Sequence, residues 1–371
     1  MAGPIVITGG GTGGHIYPML AIADQLRDRG VDPGDLRFVG SRRGQESTLL
    51  STSDVALTSL PGRGFRRSLR PEALVQNLQS AWDLTVGLVI ALVKVRRWRP
   101  SVVVSLGGYA SFAASLAAVV WRRPLVTVEL DASPGAAQRL FTRVARVRCC
   151  AFPTKGSNVV VTGIPLRDSV VSIDRSASSM TVARAAMNPP IENARIVVVV
   201  MTGSLGSTRV NQAVSELARR WSSRLDRTII HVAGRRDVNL VRAQAPRTEG
   251  LDYRILEFGD MERLWAVCDV AICRAGASTV AELTTLHVPS VLVPLPRMGD
   301  HQLKNALVVV EAGGARLVLD AECTGAKLDE VLASITGTET LASMARAAGA
   351  LGRNDAAASI ARVVSDVASR S

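Results

Sequence analysis

Two glycine-rich turns, each set between an apolar strand and a helix, constrain this chain more than any other feature. The first reads Ile5-Val6-Ile7-Thr8-Gly9-Gly10-Gly11-Thr12-Gly13-Gly14-His15 and runs into Ile16-Tyr17-Pro18-Met19-Leu20-Ala21. The second follows Ile196-Val197-Val198-Val199-Val200, reads Thr202-Gly203-Ser204-Leu205-Gly206-Ser207, and precedes a helical stretch from Asn211. A buried strand that stops at glycines and restarts as a helix presents backbone N–H groups and a positive dipole end to an anion. One such turn is common. Two, in halves of similar size, predict two α/β domains facing each other across a cleft, with a phosphate-bearing ligand between them.

A chain of 371 residues is long enough for two hydrophobic cores. Strand patterns fall at 4–8, 36–40, 55–60, 102–106, 125–129 and 158–162, with helical patterns at 15–29, 44–52, 72–98, 111–121 and 135–146. A second series has strands at 196–201, 228–233, 254–258, 269–273, 290–294 and 315–319. Its helices fall near 209–222, 260–267, 278–286, 301–312 and 327–335. This alternation predicts parallel sheets with helices on both faces. The segment 163–193, with Gly163, Pro165, Ser176 to Ser179 and Pro189-Pro190, reads as the junction. The Ala-rich stretch 338–370 reads as one or two closing helices. From Val102 to Trp121 no residue is charged, which by length would allow a membrane span. Gly107-Gly108, however, divides a β-branched run from an alanine-rich one, so strand, turn and helix is the better reading.

The formal charge of +12 and a pI near 10.4 favour an anionic partner: nucleic acid, a phosphorylated metabolite or an acidic membrane surface. Aromatic residues make up only 4%, and no zinc spacing accompanies the arginines, so no nucleic-acid partner is expected. Five cysteines without a C-x-x-C pair read as reduced, buried thiols. No secretory leader is expected, because Gly9 opens the first turn almost at once. Arg63, Arg66, Arg67 and Arg70 precede a long amphipathic stretch, which Lys94, Arg96, Arg97 and Arg99 close. Its Trp82, Leu84, Val86, Leu88, Val89, Ile90 and Leu92 fit either a core helix with solvated ends or a surface that touches anionic lipid.

Gly9-x-Gly11-x-x-Gly14 matches the dinucleotide fingerprint. That use needs an acidic residue closing the second strand, where this chain has Gly40-Ser41-Arg42-Arg43. Arginines suit NADP, so an oxidoreductase stays open as an alternative. His15 sits at the predicted helix start, where the dipole favours the neutral imidazole that a general base requires. After the strand Val270–Cys273 comes Arg274-Ala275-Gly276-Ala277-Ser278-Thr279-Val280-Ala281-Glu282. Ser278 reads as the N-cap, and Glu282 lies one turn along the same face. A diphosphate on this helix start would leave Glu282 to accept both hydrogen bonds of a ribose diol. Asp300-His301-Gln302-x-x-Asn305 begins another helix at the same end of the sheet, where open α/β sheets bind ligands.

Together these segments, with Leu106-Gly107-Gly108-Tyr109-x-Ser111, Gly163-Ile164-Pro165-Leu166-Arg167 and Gly203-Ser204-x-Gly206-x-x-x-x-Asn211, occur in one order over nearly the whole chain. In that order they resemble the MurG family, inverting glycosyltransferases of family 28. These enzymes move N-acetylglucosamine from UDP-GlcNAc to the lipid-linked muramyl-pentapeptide of peptidoglycan synthesis. The resemblance implies a GT-B fold of two Rossmann-like domains. Residues 1–163 would bind acceptor, with a helix at about 345–371 packing back, and 164–344 would bind UDP-sugar. It implies His15 and Glu129 as catalytic groups. Donor contacts would come from Thr12, Gly13, Gly14, Asp131, Arg167, Ser204, Phe258, Ala277, Ser278, Thr279, Val280, Ala281, Glu282 and Gln302. Gly107, Gly108 and Tyr109 would meet the acceptor. It further implies a peripheral enzyme on the cytoplasmic face of the cell membrane, with neither metal nor other cofactor.

The chain departs from that family in places. Val128-Glu129-Leu130-Asp131 stands where the family has His-Glu-Gln-Asn, so only Glu129 persists. Leu205 replaces a glutamine, and Glu257-Phe258-Gly259-Asp260-Met261 is one residue shorter than the family's uracil loop. These departures keep a different prenyl-phosphate acceptor open, and leave His15, Glu129 and Asp131 all as candidate bases.

Overall fold

The computed structural model describes residues 3–10, 13–42, 53–62, 71–203, 206–296 and 300–370, with backbone alone at 71–76, 109 and 136–137. Two compact units emerge: Met1–Arg167 with Asn354–Ser371, and Asp168–Arg353.

The first unit is built on seven strands: β1 (Ile5–Thr8), β2 (Leu36–Ser41), β3 (Ala56–Leu60), β4 (Val102–Ser105), β5 (Leu125–Glu129), β6 (Val147–Cys150) and β7 (Val159–Val161). They run parallel in the order β3-β2-β1-β4-β5-β6-β7. Among the described residues before Arg167 the helices are α1 (Gly13–Asp28), α2 (Pro71–Trp98), α3 (Tyr109–Val120) and α4 (Ala136–Arg139). The uncharged segment resolves into β4, a glycine turn and α3, as its composition predicts. Every residue of β4 is buried, which fits a parallel strand covered by helices on both faces. The core joins Val6, Val39, Val103, Ala113, Ala117 and Phe141 to Ala91 and Val95 of α2.

The second unit has α5 (Asp168–Val171), α6 (Ala177–Ala185), β8 (Ile196–Met201), α7 (Thr208–Arg220), β9 (Arg227–Val232), α8 (Val238–Ala243) and β10 (Asp252–Leu256). Then follow α9 (Met261–Val267), β11 (Val270–Cys273), α10 (Ala277–Thr285), β12 (Ser290–Leu292), α11 (His301–Glu311), β13 (Ala315–Leu317), α12 (Gly325–Ile335) and α13 (Thr338–Gly349). Its six parallel strands take the order β10-β9-β8-β11-β12-β13. Val198, Val200, Val214, Leu217, Ile272 and Leu332 belong to one core. The chain ends in α14 (Ala356–Ser369), which packs on α1 within the first unit.

Sequence reading and structure part in a few places. Strand β6 is absent from the expected series, because Arg148 interrupts its apolar pattern; a buried partner, Glu129, neutralises that charge. The helix expected over 135–146 shortens to α4, and turns follow it. The junction contains two helices, α5 and α6, and α8 was not expected. The helix expected at 44–52 and the cluster Arg63, Arg66, Arg67 and Arg70 lie outside the described residues.

Candidate active site

Both sheets reverse strand order once, between β1 and β4 and between β8 and β11. Ligands of open α/β sheets bind beyond the C-terminal ends of the strands at such switch points. All four strand ends there lead into glycine turns.

In the first unit, Gly13 and Gly14 open α1, and His15 follows in the first turn. Buried Ile16, Met19 and Ile22 pin that helix to the core, so the imidazole rides on a rigid element. Beside it, Gly107 and Gly108 adopt φ of +93° and +83°. A Cβ on Gly108 would lie 2.5 Å from the Gly10 carbonyl oxygen, so only glycine lets the two turns touch. Ser111 Oγ donates to the Gly108 carbonyl at 2.9 Å and fixes the start of α3. Thr12 lies outside the described residues, as does the side chain of Tyr109. Arg167, which ends the first segment of this unit, places its guanidinium 4.6 Å from the centre of the Tyr17 ring on α1.

Glu129 sits in a buried ion pair. Its carboxylate, 3% exposed at the end of β5, takes a bidentate pair from Arg148, Nε to Oε1 at 2.8 Å and Nη2 to Oε2 at 3.0 Å. A buried carboxylate clamped by a guanidinium is committed to its partner. The pair also raises the Arg148 pKa, chiefly through the hydrogen bond to Glu129. The neighbouring thiols of Cys149 and Cys150 are pushed up to about 12, first by burial. Asp131 follows half-buried in the loop beyond β5.

In the second unit, Gly203 and Gly206 turn at φ of +91° and +88°. Ser204 and Leu205 between them lie outside the described residues. The helix after β11 corrects one expectation. Its N-cap is Gly276, extended at φ −64° and ψ 146° without a side-chain cap, so Ser278 lies inside α10. Ala277, Ser278, Thr279, Val280 and Ala281 therefore form the opening turns, and a helix N-terminus of this kind suits an anion. Arg274 braces this end of the sheet: it donates to the Val293 and Pro294 carbonyls and to Ser207 Oγ, and pairs with Asp320 at 2.7 Å.

Glu282 is half-buried on α10, and Trp265 Nε1 of α9 donates to its Oε2 at 2.8 Å. Gln302 is held at the start of α11, its Oε1 accepting from the Leu295 amide at 2.9 Å, which fixes the amide so that Nε2 is the donor end. Asn305, fully buried, donates to the Ala275 carbonyl and ties α11 to the loop before α10. Phe258 is 50% exposed, with the Arg235 guanidinium 5.1 Å from its ring centre. Trp265 and Arg148 are partners that no local pattern reveals.

A separate surface lies on α2. One side of this helix, with Ser80, Ala91 and Val95, is buried. On the other, Leu78, Trp82, Val89 and Val93 are exposed, Trp82 at 70%, ahead of exposed Arg96 and Arg97. Trp121 extends the patch, donating to the Leu92 carbonyl at 3.0 Å beneath the Arg96 guanidinium, 5.0 Å from its ring centre. The stretch Asn77–Trp98 is long and apolar enough to cross a membrane by length and composition.

Residues 5–147 match the glycosyltransferase family 28 N-terminal domain, and residues 197–360 match the C-terminal domain of the same family. A relative from Moorella thermoacetica is 34% identical over 378 residues, covering 97% of this chain and 98% of its own length. One from Alkalilimnicola ehrlichii is 36% identical over 370 residues, covering 98% of each. Both carry the name UDP-N-acetylglucosamine--N-acetylmuramyl-(pentapeptide) pyrophosphoryl-undecaprenol N-acetylglucosamine transferase. Among solved structures, MurG of Acinetobacter baumannii has a TM-score of 0.75 at 24% identity, covering 98% of this chain and 99% of that one. UDP-GlcNAc 2-epimerase of Neisseria meningitidis has a TM-score of 0.67 at 17% identity, covering 98% of this chain and 100% of its own. These two share the fold.

Proposed function

The chain belongs to glycosyltransferase family 28, and we propose that it moves N-acetylglucosamine from UDP-GlcNAc to the lipid-linked muramyl pentapeptide of peptidoglycan synthesis. The observation that carries this reading is full-length similarity, above 30% identity, to enzymes named for that transfer. Glycine turns at both sheet switch points give the reading its physical basis.

The Asp168–Arg353 unit holds the donor. The opening of α10 and the turn at Gly203–Gly206 take the diphosphate, with Ser204 among its contacts. Glu282, oriented by Trp265, accepts the ribose hydroxyls, Phe258 lies against uracil, and Gln302 Nε2 donates to the sugar. Arg167 adds charge at the diphosphate, and Asp131 with Thr12, Gly13 and Gly14 completes the donor contacts. The first unit takes the acceptor along Gly107, Gly108 and Tyr109.

The acceptor hydroxyl attacks the anomeric carbon in line, the bond from that carbon to the diphosphate breaks, and UDP leaves with the electron pair, inverting the centre. His15, carried at the start of the core-pinned α1, receives the hydroxyl proton, while Glu129 stays paired with Arg148. Negative charge grows on the leaving diphosphate, where helix dipoles and arginine supply fixed electrostatic stabilisation without a metal. The enzyme acts peripherally on the cytoplasmic face, and the exposed stripe Leu78, Trp82, Val89 and Val93, bordered by Arg96 and Arg97, supports its contact with anionic lipid.

The test is UDP release from UDP-GlcNAc with and without a soluble lipid-linked muramyl-pentapeptide analogue. Release that requires the acceptor is the expected result. Donor consumption without acceptor would overturn it in favour of an epimerase or hydrolase. Release with another prenyl-diphosphate sugar alone would move the acceptor.

A further inference from the structure

In the second unit a chain of side chains, half-buried at Tyr253 and buried beyond it, ends against Gly206. His231, on β9, is completely buried. Its Nδ1 lies 2.9 Å from the Tyr253 hydroxyl and its Nε2 lies 2.9 Å from Asn211 Oδ1. Asn211 Nδ2 donates to the Ala233 carbonyl and to Asp237 Oδ2, both at 3.1 Å. That use of Nδ2 fixes the orientation of the amide: Oδ1 faces the imidazole and accepts, so Nε2 must carry the ring proton. Nδ1 then accepts from Tyr253, and every hydrogen bond in the chain points the same way, from Tyr253 through His231 and Asn211 to Asp237. Burial holds the His231 pKa down at about 3, which keeps the ring in this one neutral form.

The far end of the chain meets the turn directly. Asn211 holds the Ala233 carbonyl, and a Cβ on Gly206 would lie 2.5 Å from that oxygen and 3.0 Å from Asp237 Oδ2. Gly206 thus rests with its bare Cα face against the two acceptors that Asn211 secures. Arg236 closes the other side, pairing with Asp237 at 2.7 Å and donating to the Gly206 carbonyl at 3.3 Å. Asn211 also lies one turn into α7, so the same side chain sets the start of that helix.

We infer that His231 is a positioning residue for donor binding: through Asn211 it sets Gly206 and the start of α7 in the place that receives a nucleoside diphosphate. The inference rests on the reading that the second unit holds the donor. His231 touches no substrate and exchanges no proton. Displacing Gly206 and the start of α7 misaligns that edge of the donor site and leaves acceptor recognition intact.

The experiment uses the full chain and three variants, with calorimetry against UDP and steady-state kinetics for donor and acceptor. His231→Phe keeps the ring shape and removes both hydrogen bonds; UDP Kd and donor KM should rise roughly tenfold with acceptor KM unchanged. His231→Gln restores a donor near the Nε2 position and should recover most of that loss. Should His231→Phe fail to fold, Tyr253→Phe removes only the hydroxyl that orients the ring and should weaken UDP by about threefold. Unchanged UDP affinity in whichever of these variants folds would overturn the positioning role, as would equal losses for donor and acceptor that Gln does not repair. Wild-type protein that binds no UDP at all would instead overturn the donor-site assignment.

Discussion

Replacing His231 by Gln should make the stability of the second unit less sensitive to acid, by an amount that follows from the burial of the ring. Free imidazole takes a proton near pH 6.5, whereas burial holds His231 at about 3 in the folded chain. Above pH 6.5 neither state binds this proton and the native state keeps its full margin. As pH falls from 6.5 toward 3, the unfolded chain gains a proton that the folded chain refuses, and stability is lost. Each pH unit in that window is about 1.36 kcal/mol, so the descent from pH 6.5 to pH 5 removes about 2 kcal/mol. Gln does not titrate. The difference in unfolding free energy between wild type and His231→Gln should therefore shrink by about 2 kcal/mol between pH 7 and pH 5, because all other titrations cancel in the difference. Urea melts of both proteins at the two pH values measure it, taking the transition that unfolds the Asp168–Arg353 unit. An equal difference at both pH values would refute the argument, for it would mean that the native ring accepts the proton or is hydrated.

Three further outcomes follow from the site. His15→Ala should lower kcat by about 10²–10⁴ with UDP affinity unchanged in calorimetry, and unchanged turnover removes His15 from the chemistry. Glu282→Ala should weaken UDP-GlcNAc binding by about 1–3 kcal/mol, through loss of charge-assisted bonds to the ribose; wild-type affinity would refute the ribose role. Trp82→Glu should reduce sedimentation with vesicles containing anionic lipid while leaving turnover of a soluble acceptor analogue unchanged; undiminished sedimentation would place the membrane contact elsewhere.

The architecture was legible wherever burial is local and continuous. Strands β1, β4 and β8 are short runs dominated by Val and Ile that lead into glycines, and β11 is a shorter apolar run of the same kind; their length and β-branching favour buried strands. The glycine turns were readable for the same reason, since positive φ and close backbone approach leave few residue choices. What stayed hidden depends on partners distant in sequence. Arg148 disguised β6 because its neutralising carboxylate lies on another strand. The guanidinium that pairs with Glu129 is invisible from that segment for the same reason. Glu282 reads as a ribose ligand from its place on α10, but Trp265, which orients it, belongs to a helix that reads only as core. The N-cap moved from Ser278 to Gly276 because an extended glycine begins the helix without any side-chain oxygen. His231 carries no local pattern at all, and its role rests on contacts with α7 and β10.

A crystal of the full chain grown with UDP and a metal chelator tests the account most directly. The diphosphate should lie against the Gly276–Ser278 opening of α10, with the ribose hydroxyls on the Glu282 carboxylate. Density for UDP against the Gly9–His15 turn instead, or binding that needs a divalent cation, would contradict it.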